Sequence, residues 1–212
     1  MKFWQCLAML DMQELPVLAR HAEDLGFEGV SLSEHMITFS EQYDSYDYSD
    51  NNSIRWYPNT HWPDPWVQIA ALAQVTTRLK FLTRVYVLPL HDPFSVAKSV
   101  STAANLCGGR LILGVGIGWQ KSEFELVGQN FHNRGKRCDE MLEVMQKLWR
   151  GNAVSHEGTH YRFPPLQMSP GLVHQLPIYV GGFAEAALRR ASRQNGWIGG
   201  QHSMEELQQL IP

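Results

Sequence analysis

The sequence lacks the cysteine patterns that mark disulfide-rich or metal-binding proteins. Its 212 residues include three cysteines, and no two of them form a Cys-x-x-Cys pair: Cys6, Cys107 and Cys138. An odd number of widely separated cysteines favours free, buried thiols in a reducing compartment over a disulfide framework. The predicted location is therefore the cytoplasm.

Clusters of basic residues and long apolar runs are also missing. The net charge is -3, and no block of lysine and arginine stands out, which argues against a nucleic-acid partner. The apolar run at the N-terminus ends at Asp11 and is too short to span a membrane. Without a small-residue cleavage site, it is interpreted as a first strand and not as a signal peptide. The histidines show no ligand spacing such as His-x-x-x-His, so no metal site is predicted.

Alternating strand and helix patterns run along the chain. Strands are predicted at 3–9, 29–32, 79–88, 111–115, 177–180 and 196–199, and 151–176 is predicted to be a loop. Helices are predicted to start at Asp11, with a capping box to Glu14, and at Asp64-Pro65 and Asp92-Pro93. The alternation implies parallel strands with right-handed crossovers. Either a (β/α)8 barrel or an open doubly wound sheet satisfies it.

Residues 108–119, GGRLILGVGIGW, combine a helix stop, an apolar strand and a glycine-rich turn. Gly114, Gly116 and Gly118 let the backbone turn sharply and approach a ligand closely. A strand, a glycine turn and a helix together present backbone N–H groups to an anionic or planar ligand. From the spacing alone, a tight turn without a ligand is an equally good interpretation.

Residues 39–66 form a long segment without a helix or strand pattern. Long loops in compact domains are often functional lids, and aromatic residues argue against a disordered linker. We therefore interpret the segment as an aromatic insertion or lid. Its eight aromatic residues are Phe39, Tyr43, Tyr46, Tyr48, Trp56, Tyr57, Trp62 and Trp66.

In combination, six segments resemble the bacterial-luciferase-like superfamily of flavin- or F420-dependent oxidoreductases, and in particular a subgroup of probable F420-dependent enzymes. The segments are Glu34-His35, TRVYVLPLHDP at 83–93, GGRLILGVGIGWQKSEFELVG at 108–128, Arg134-Gly135, DEMLEVMQKLW at 139–149 and LPIYVGGFAEAALRRA at 176–191. The resemblance implies a TIM barrel, usually dimeric, with the ring of FMN or F420 at the C-terminal mouth. Six predicted strands against the usual eight imply a single domain over 1–212, truncated after about six strands. A truncated product, a dimer that closes the gap and a reduced relative are all consistent with that count.

The resemblance also implies roles for individual residues. His35 matches a histidine near the reactive part of the ring, where it donates or accepts a proton or stabilises an intermediate. Arg84-Val85 matches a place where many relatives have a non-prolyl cis peptide that supports the ring. Arg134 matches an arginine that contacts phosphate, with a surface ion pair as the alternative. Two loops match cofactor-binding loops: Gly116, Ile117, Gly118 and Trp119 flank the ring or tail, and Gly181, Gly182, Phe183 and Ala184 hold a phosphate with backbone amides.

The function implied by the resemblance is an FMN- or F420-dependent oxidoreductase or monooxygenase acting on a small organic substrate. A homodimer and, as supplier of reduced cofactor, a flavin reductase are the implied partners. The lack of a basic cluster for the F420 tail favours FMN, whereas the subgroup resemblance favours F420. A flavin-binding or structural remnant without turnover is the alternative.

Overall fold

A computed structural model describes residues 1–39, 56–200 and 202–210 of the chain. A curled parallel sheet has the strand order β1-β2-β3-β5-β8-β9, with β4 also paired to β5, and β6 and β7 form a separate antiparallel hairpin. The α/β, TIM-barrel-type fold predicted from the sequence is confirmed in this half-barrel. The strands are β1 (Trp4–Cys6), β2 (Gly29–Leu32), β3 (Lys80–Thr83), β4 (Tyr86–Val87), β5 (Leu111–Gly116), β6 (Val154–Glu157), β7 (Arg162–Leu166), β8 (Ile178–Gly181) and β9 (Gly196–Ile198).

Helices cover the sheet, and aspartate-proline pairs start two of them. Asp64 Oδ1 accepts hydrogen bonds from the N–H groups of Trp66 and Val67, and Asp92 caps α3 in the same way. The predicted capping box at Asp11 is wrong, because Glu14 is the N-cap and makes no side-chain cap. The helices are α1 (Leu15–Asp24), α2 (Pro65–Ala73), α3 (Pro93–Leu106), α4 (Lys121–Leu126), α5 (Arg134–Leu148), α6 (Glu185–Ala191) and α7 (Met204–Leu210).

Strand β5 lies at the centre of the sheet, and its six residues are all buried. It pairs with β3 through Ile112 opposite Leu82, and with β8 through Leu113 opposite Ile178. A strand between two parallel neighbours, covered on both faces, needs a continuous apolar run. This is why the run from Leu111 to Val115 predicted the strand correctly.

Two segments differ from the predictions. The predicted third strand is divided into β3 and β4 at the Arg84–Val85 peptide, which is cis. The predicted loop at 151–176 contains the β6–β7 hairpin. Pro164 and Pro165 lie within β7 and hide its strand pattern. Prolines are tolerated there because, among the residues that the structure describes, each strand of this two-stranded hairpin pairs along one edge only.

All three cysteines are free, but Cys6 is exposed and not buried. In the part of the chain that the structure describes, no helix has both the length and the apolar character needed to cross a membrane. Of the predicted lid at 39–66, residues 40–55 lie outside the described residues.

Candidate active site at the carboxyl ends of the strands

The residues implied by the resemblance lie beyond the carboxyl ends of neighbouring parallel strands. His35 follows β2, Arg84-Val85 connects β3 to β4, and 117–119 follow β5. Residues 182–184 follow β8, which is the next strand along the sheet from β5. Because parallel strands end at the same edge of a sheet, these loops form one rim, where barrel active sites are built.

Val85 packs across two strands of this rim. A Cβ at Gly116 would lie 2.5 Å from Cγ2 of Val85, and a Cβ at Gly181 would lie 2.6 Å from its Cγ1. Both distances are shorter than a van der Waals contact, so any larger residue at either position would displace Val85. These three residues form the floor of the rim, and the name "floor" is used for them below.

The cis peptide before Val85 is tied to the end of β2. The N–H of Arg84 donates to the carbonyl of Leu32 at 2.6 Å, and the hydroxyl of Ser33 donates to the carbonyl of Arg84 at 2.9 Å. The side chain of Arg84 is exposed. The floor is therefore linked directly to the segment that carries His35.

His35 forms a buried pair with Glu123 of α4. His35 Nδ1 lies 2.8 Å from Glu123 Oε1, and the two side chains are 8% and 6% exposed. The same oxygen accepts hydrogen bonds from the N–H groups of Met36 at 3.1 Å and Ile37 at 3.3 Å. Glu123 thus fixes both the ring of His35 and the backbone that follows it.

The sequence prediction did not include Glu123 among the site residues. A helical glutamate whose neighbour Phe124 is apolar normally faces solvent, and its partner His35 lies 88 positions away in the chain. The signal available was its position four residues after Trp119, in the first turn of the helix that follows the glycine loop.

Three tryptophan side chains border the His35 ring and form an aromatic cage around it. The ring centroid lies 4.7 Å from that of Trp56, 5.6 Å from that of Trp62 and 6.3 Å from that of Trp119, all in edge-on arrangements. The Nε2 atom of His35 is buried and has no hydrogen-bond partner among the described residues. A buried polar atom without a partner costs about 1–3 kcal/mol. Such an atom, in a ring bordered by an aromatic cage, marks a place where a ligand atom would complete the hydrogen bonding.

Arg134 holds the glycine loop after β5. Its Nε donates to the carbonyl of Gly118 at 3.1 Å, and its Nη1 donates to the carbonyl of Phe131 at 3.0 Å. Its guanidinium carbon lies 3.7 Å from the centre of the Phe131 ring, at the distance of a cation–π contact. Gly118 has a φ of +75°, which a residue with a side chain rarely adopts. Arg134 therefore positions the loop through its backbone, and its contact with a phosphate stays a prediction.

The loop after β8 is fixed by a tryptophan. Gly182 has a φ of +116°, and its carbonyl accepts a hydrogen bond of 2.6 Å from Nε1 of Trp197. Phe183 is half exposed, and Ala184 is the N-cap of α6. The predicted contact of this turn with a phosphate is not tested by these distances.

Glu34, which precedes His35, has a structural role. Its Oε1 lies 2.7 Å from Nε2 of His91, and its Oε2 accepts the N–H of Val87 at 2.5 Å. The ring of His91 stacks on Tyr86 at a centroid distance of 4.6 Å. Burial, and then the charge of Glu34, raise the pKa of Tyr86 well above its usual range, so the phenol stays neutral. Glu34 therefore anchors β4 beneath the rim.

A groove of about 600 Å³ lies elsewhere, between α5 and the β6–β7 hairpin. Its walls are charged, and the charges pair with each other. Glu140 contacts His156, Lys147 lies 3.0 Å from Nδ1 of His156, and Lys147 also pairs with Glu143 at 2.8 Å. A binding site for a planar organic ring is normally apolar with few polar groups, and this groove has the opposite character. Among the described residues, no group of three histidines, cysteines or acidic residues is placed to hold a metal ion.

Comparisons with known proteins identify the family to which the chain belongs. Residues 7–212 match the family model described as luciferase-like monooxygenase. An uncharacterized protein of Mycobacterium tuberculosis is 36% identical over 211 residues, which cover all of this chain and 73% of that protein.

Two solved structures with related folds bind different cofactors. One is the oxygenating constituent of 3,6-diketocamphane monooxygenase from Pseudomonas putida in complex with FMN, with a TM-score of 0.73 and 19% identity over 98% of this chain and 60% of that one. The other is an F420-dependent secondary alcohol dehydrogenase with an F420-acetone adduct, with a TM-score of 0.74 and 20% identity over 94% of this chain and 58% of that one. The chain thus spans about three fifths of the length of these structures. The family match over nearly all of its residues shows that the chain belongs to the luciferase-like monooxygenase family.

Proposed function

We propose that the rim binds the ring of FMN or F420 and that the protein is an oxidoreductase acting on a small organic substrate. One observation carries the proposal. The buried Nε2 atom of His35 has no hydrogen-bond partner among the described residues, and tryptophans border its ring. A few polar groups among apolar and aromatic side chains are the usual composition of a cofactor site.

The floor fits a flat, largely apolar ring. The side chain of Val85 fills the space that side chains at Gly116 and Gly181 would occupy. At these two positions β5 and β8 therefore present only their backbone. Trp119 follows the glycine loop and borders His35 at 6.3 Å. When bound, the cofactor would supply hydride transfer or oxygen activation.

The residues of the chain have separate tasks in this proposal. His35 holds or moves a proton at Nε2, a role that imidazole suits near neutral pH. Trp56 and Trp62 cover the His35 ring and exclude water from it. Arg134 holds the loop that borders the ring, through the carbonyl of Gly118.

A titration of the purified protein with FMN and, separately, with F420 tests the proposal. Absorbance reports the environment of the ring, and tryptophan fluorescence reports its approach to the cage. Saturable changes with one or both cofactors would support the site and identify the cofactor. No saturable change with either would favour a structural remnant without turnover. The homodimer, the flavin reductase partner and the cytoplasmic location stay predictions.

A further inference from the structure

We propose that Glu123 is a positioning residue that holds His35 in a single tautomer, with the proton on Nδ1 and a lone pair on Nε2. The use of that lone pair in a reaction rests on the proposed function. The tautomer itself is a property of the protein and does not depend on a cofactor.

Glu123 Oε1 accepts the N–H groups of Met36 and Ile37 and so acts as an acceptor. At 2.8 Å from this oxygen, the Nδ1 atom of His35 has to be the donor. In neutral imidazole one ring nitrogen carries the proton and the other carries a lone pair. The opposite tautomer would set the lone pair of Nδ1 against the carboxylate oxygen, which is repulsive. Glu123 therefore selects the tautomer.

The carboxylate is itself held in place. Its Oε1 also accepts the N–H groups of Met36 and Ile37, so the ring and the two residues after it share one acceptor. The neighbouring residue Phe124 is fully buried, and its ring contacts Phe131 at a centroid distance of 5.3 Å. This packing fixes the side of α4 from which Glu123 reaches His35.

The tautomer determines whether Nε2 of His35 starts as an acceptor or as a donor. With a lone pair on the buried Nε2 atom, the ring accepts a proton or a hydrogen bond from an O–H or N–H group of the substrate. In a full transfer the proton moves to Nε2, the electron pair of the broken bond stays on the substrate atom, and the imidazolium is paired with the Glu123 carboxylate. The site therefore favours substrates that carry a transferable proton beside the reacting atom.

Nitrogen NMR of protein labelled with ¹⁵N-histidine tests the proposal without a cofactor. The resonances of His35 are assigned by their loss in His35→Gln. In the pH range where the ring is neutral, we expect a protonated Nδ1 and an unprotonated Nε2. Protonation of Nε2, alone or together with Nδ1 throughout the measured range, would overturn the proposal.

Two variants of Glu123 and one control identify the cause. Glu123→Gln keeps an oxygen that accepts all three hydrogen bonds, so we expect the Nδ1–H tautomer to remain. Glu123→Leu removes the acceptor, and the spectrum should shift to a mixture or to the Nε2–H form. An unchanged His35 spectrum in Glu123→Leu would show that Glu123 does not set the tautomer. Glu125→Gln, which changes an exposed residue on the same helix, should leave the His35 signals as they are in the wild type.

If Glu123→Leu does not fold, the wild-type spectrum still tests the tautomer, and loss of the Nδ1–H form in Glu123→Gln would contradict the role assigned to the side-chain oxygen at position 123. The cofactor titration is a separate measurement. Absence of cofactor binding together with the expected tautomer would refute the proposed function and leave the role of Glu123 intact. Cofactor binding together with a protonated Nε2 would support the proposed function and refute the role of Glu123.

Discussion

Val85 lies so close to Gly116 that the central strand of the sheet has no room for a side chain at this position. A Cβ at position 116 would be 2.5 Å from Val85 Cγ2. The Gly116→Ala variant must therefore displace Val85 from the floor. We expect it to lower the free energy of unfolding by about 1–3 kcal/mol, as overpacking does, and to weaken cofactor binding. Urea denaturation and a cofactor titration measure the two effects.

Gly135→Ala is the matched control for this variant. Gly135 lies in α5, where the nearest atom to an added Cβ is the end of the Arg190 side chain at 3.5 Å. Replacement of glycine by alanine in a helix is neutral or stabilising by up to about 1 kcal/mol. If Gly116→Ala is as stable as Gly135→Ala and binds cofactor like the wild type, the floor has no role in binding.

The succession of strands and helices along the chain followed from local sequence patterns. The apolar run of β5, the aspartate-proline helix starts and the glycines after strands all have local causes, and the structure confirms the elements they predicted. The division of the third strand and the β6–β7 hairpin were missed, because tertiary contacts determine them and β7 contains two prolines.

The site was predicted less completely than the fold. His35 and the loops were identified through their resemblance to a family, and the structure places them on one rim. The pair of His35 with Glu123 was missed because it joins residues 88 positions apart. No pattern within one helix or strand reveals which distant carboxylate faces a given histidine.

His35→Ala should reduce turnover far more than it reduces cofactor affinity. Loss of a group that handles a proton typically lowers the rate by about 10²–10⁴-fold, whereas loss of one contact to a large cofactor has a smaller effect on binding. Steady-state kinetics and the cofactor titration measure the two quantities. His21→Ala, at an exposed site on α1, serves as the control. Equal turnover of His35→Ala and wild type would rule out this role for His35.

Arg134→Lys separates the charge of Arg134 from its contacts with the loop. Lysine keeps the charge but lacks the planar group that stacks on Phe131 and bonds to two carbonyls. If Arg134 acts by holding the Gly118 carbonyl, both Arg134→Lys and Arg134→Ala should weaken cofactor binding by about tenfold, equivalent to about 1.4 kcal/mol. Binding retained by Arg134→Lys alone would instead point to a charge contact with the cofactor's phosphate.

Glu140→Gln should destabilise the β6–β7 hairpin in a pH-dependent way. Burial favours a higher pKa for Glu140, but hydrogen bonds from the N–H groups of His160 and Tyr161 and from the His156 ring outweigh it and lower the pKa below its ordinary value of 4.5. A lowered pKa in the folded protein stabilises the fold above pH 4.5, and this contribution is lost as the pH falls through the folded value.

The expected loss for Glu140→Gln at neutral pH is about 2 kcal/mol, since several hydrogen bonds to a charged acceptor are weakened. Urea denaturation at pH 7 and below pH 4.5 measures the difference in free energy of unfolding between the wild type and Glu140→Gln. This difference should be smaller at the lower pH, where the carboxylate of the wild type becomes protonated. Glu157→Gln, at an exposed position on the same hairpin, should differ little from the wild type at either pH. A difference that is constant with pH would show that the charge of Glu140 does not stabilise the fold.

A crystal structure of the protein with FMN or F420 bound would show where the ring lies. We expect the ring at the rim, in contact with the floor at Val85, beside Trp119 and within reach of Nε2 of His35. A ring bound in the charged groove between α5 and the β6–β7 hairpin, or at any site away from His35, would contradict this expectation.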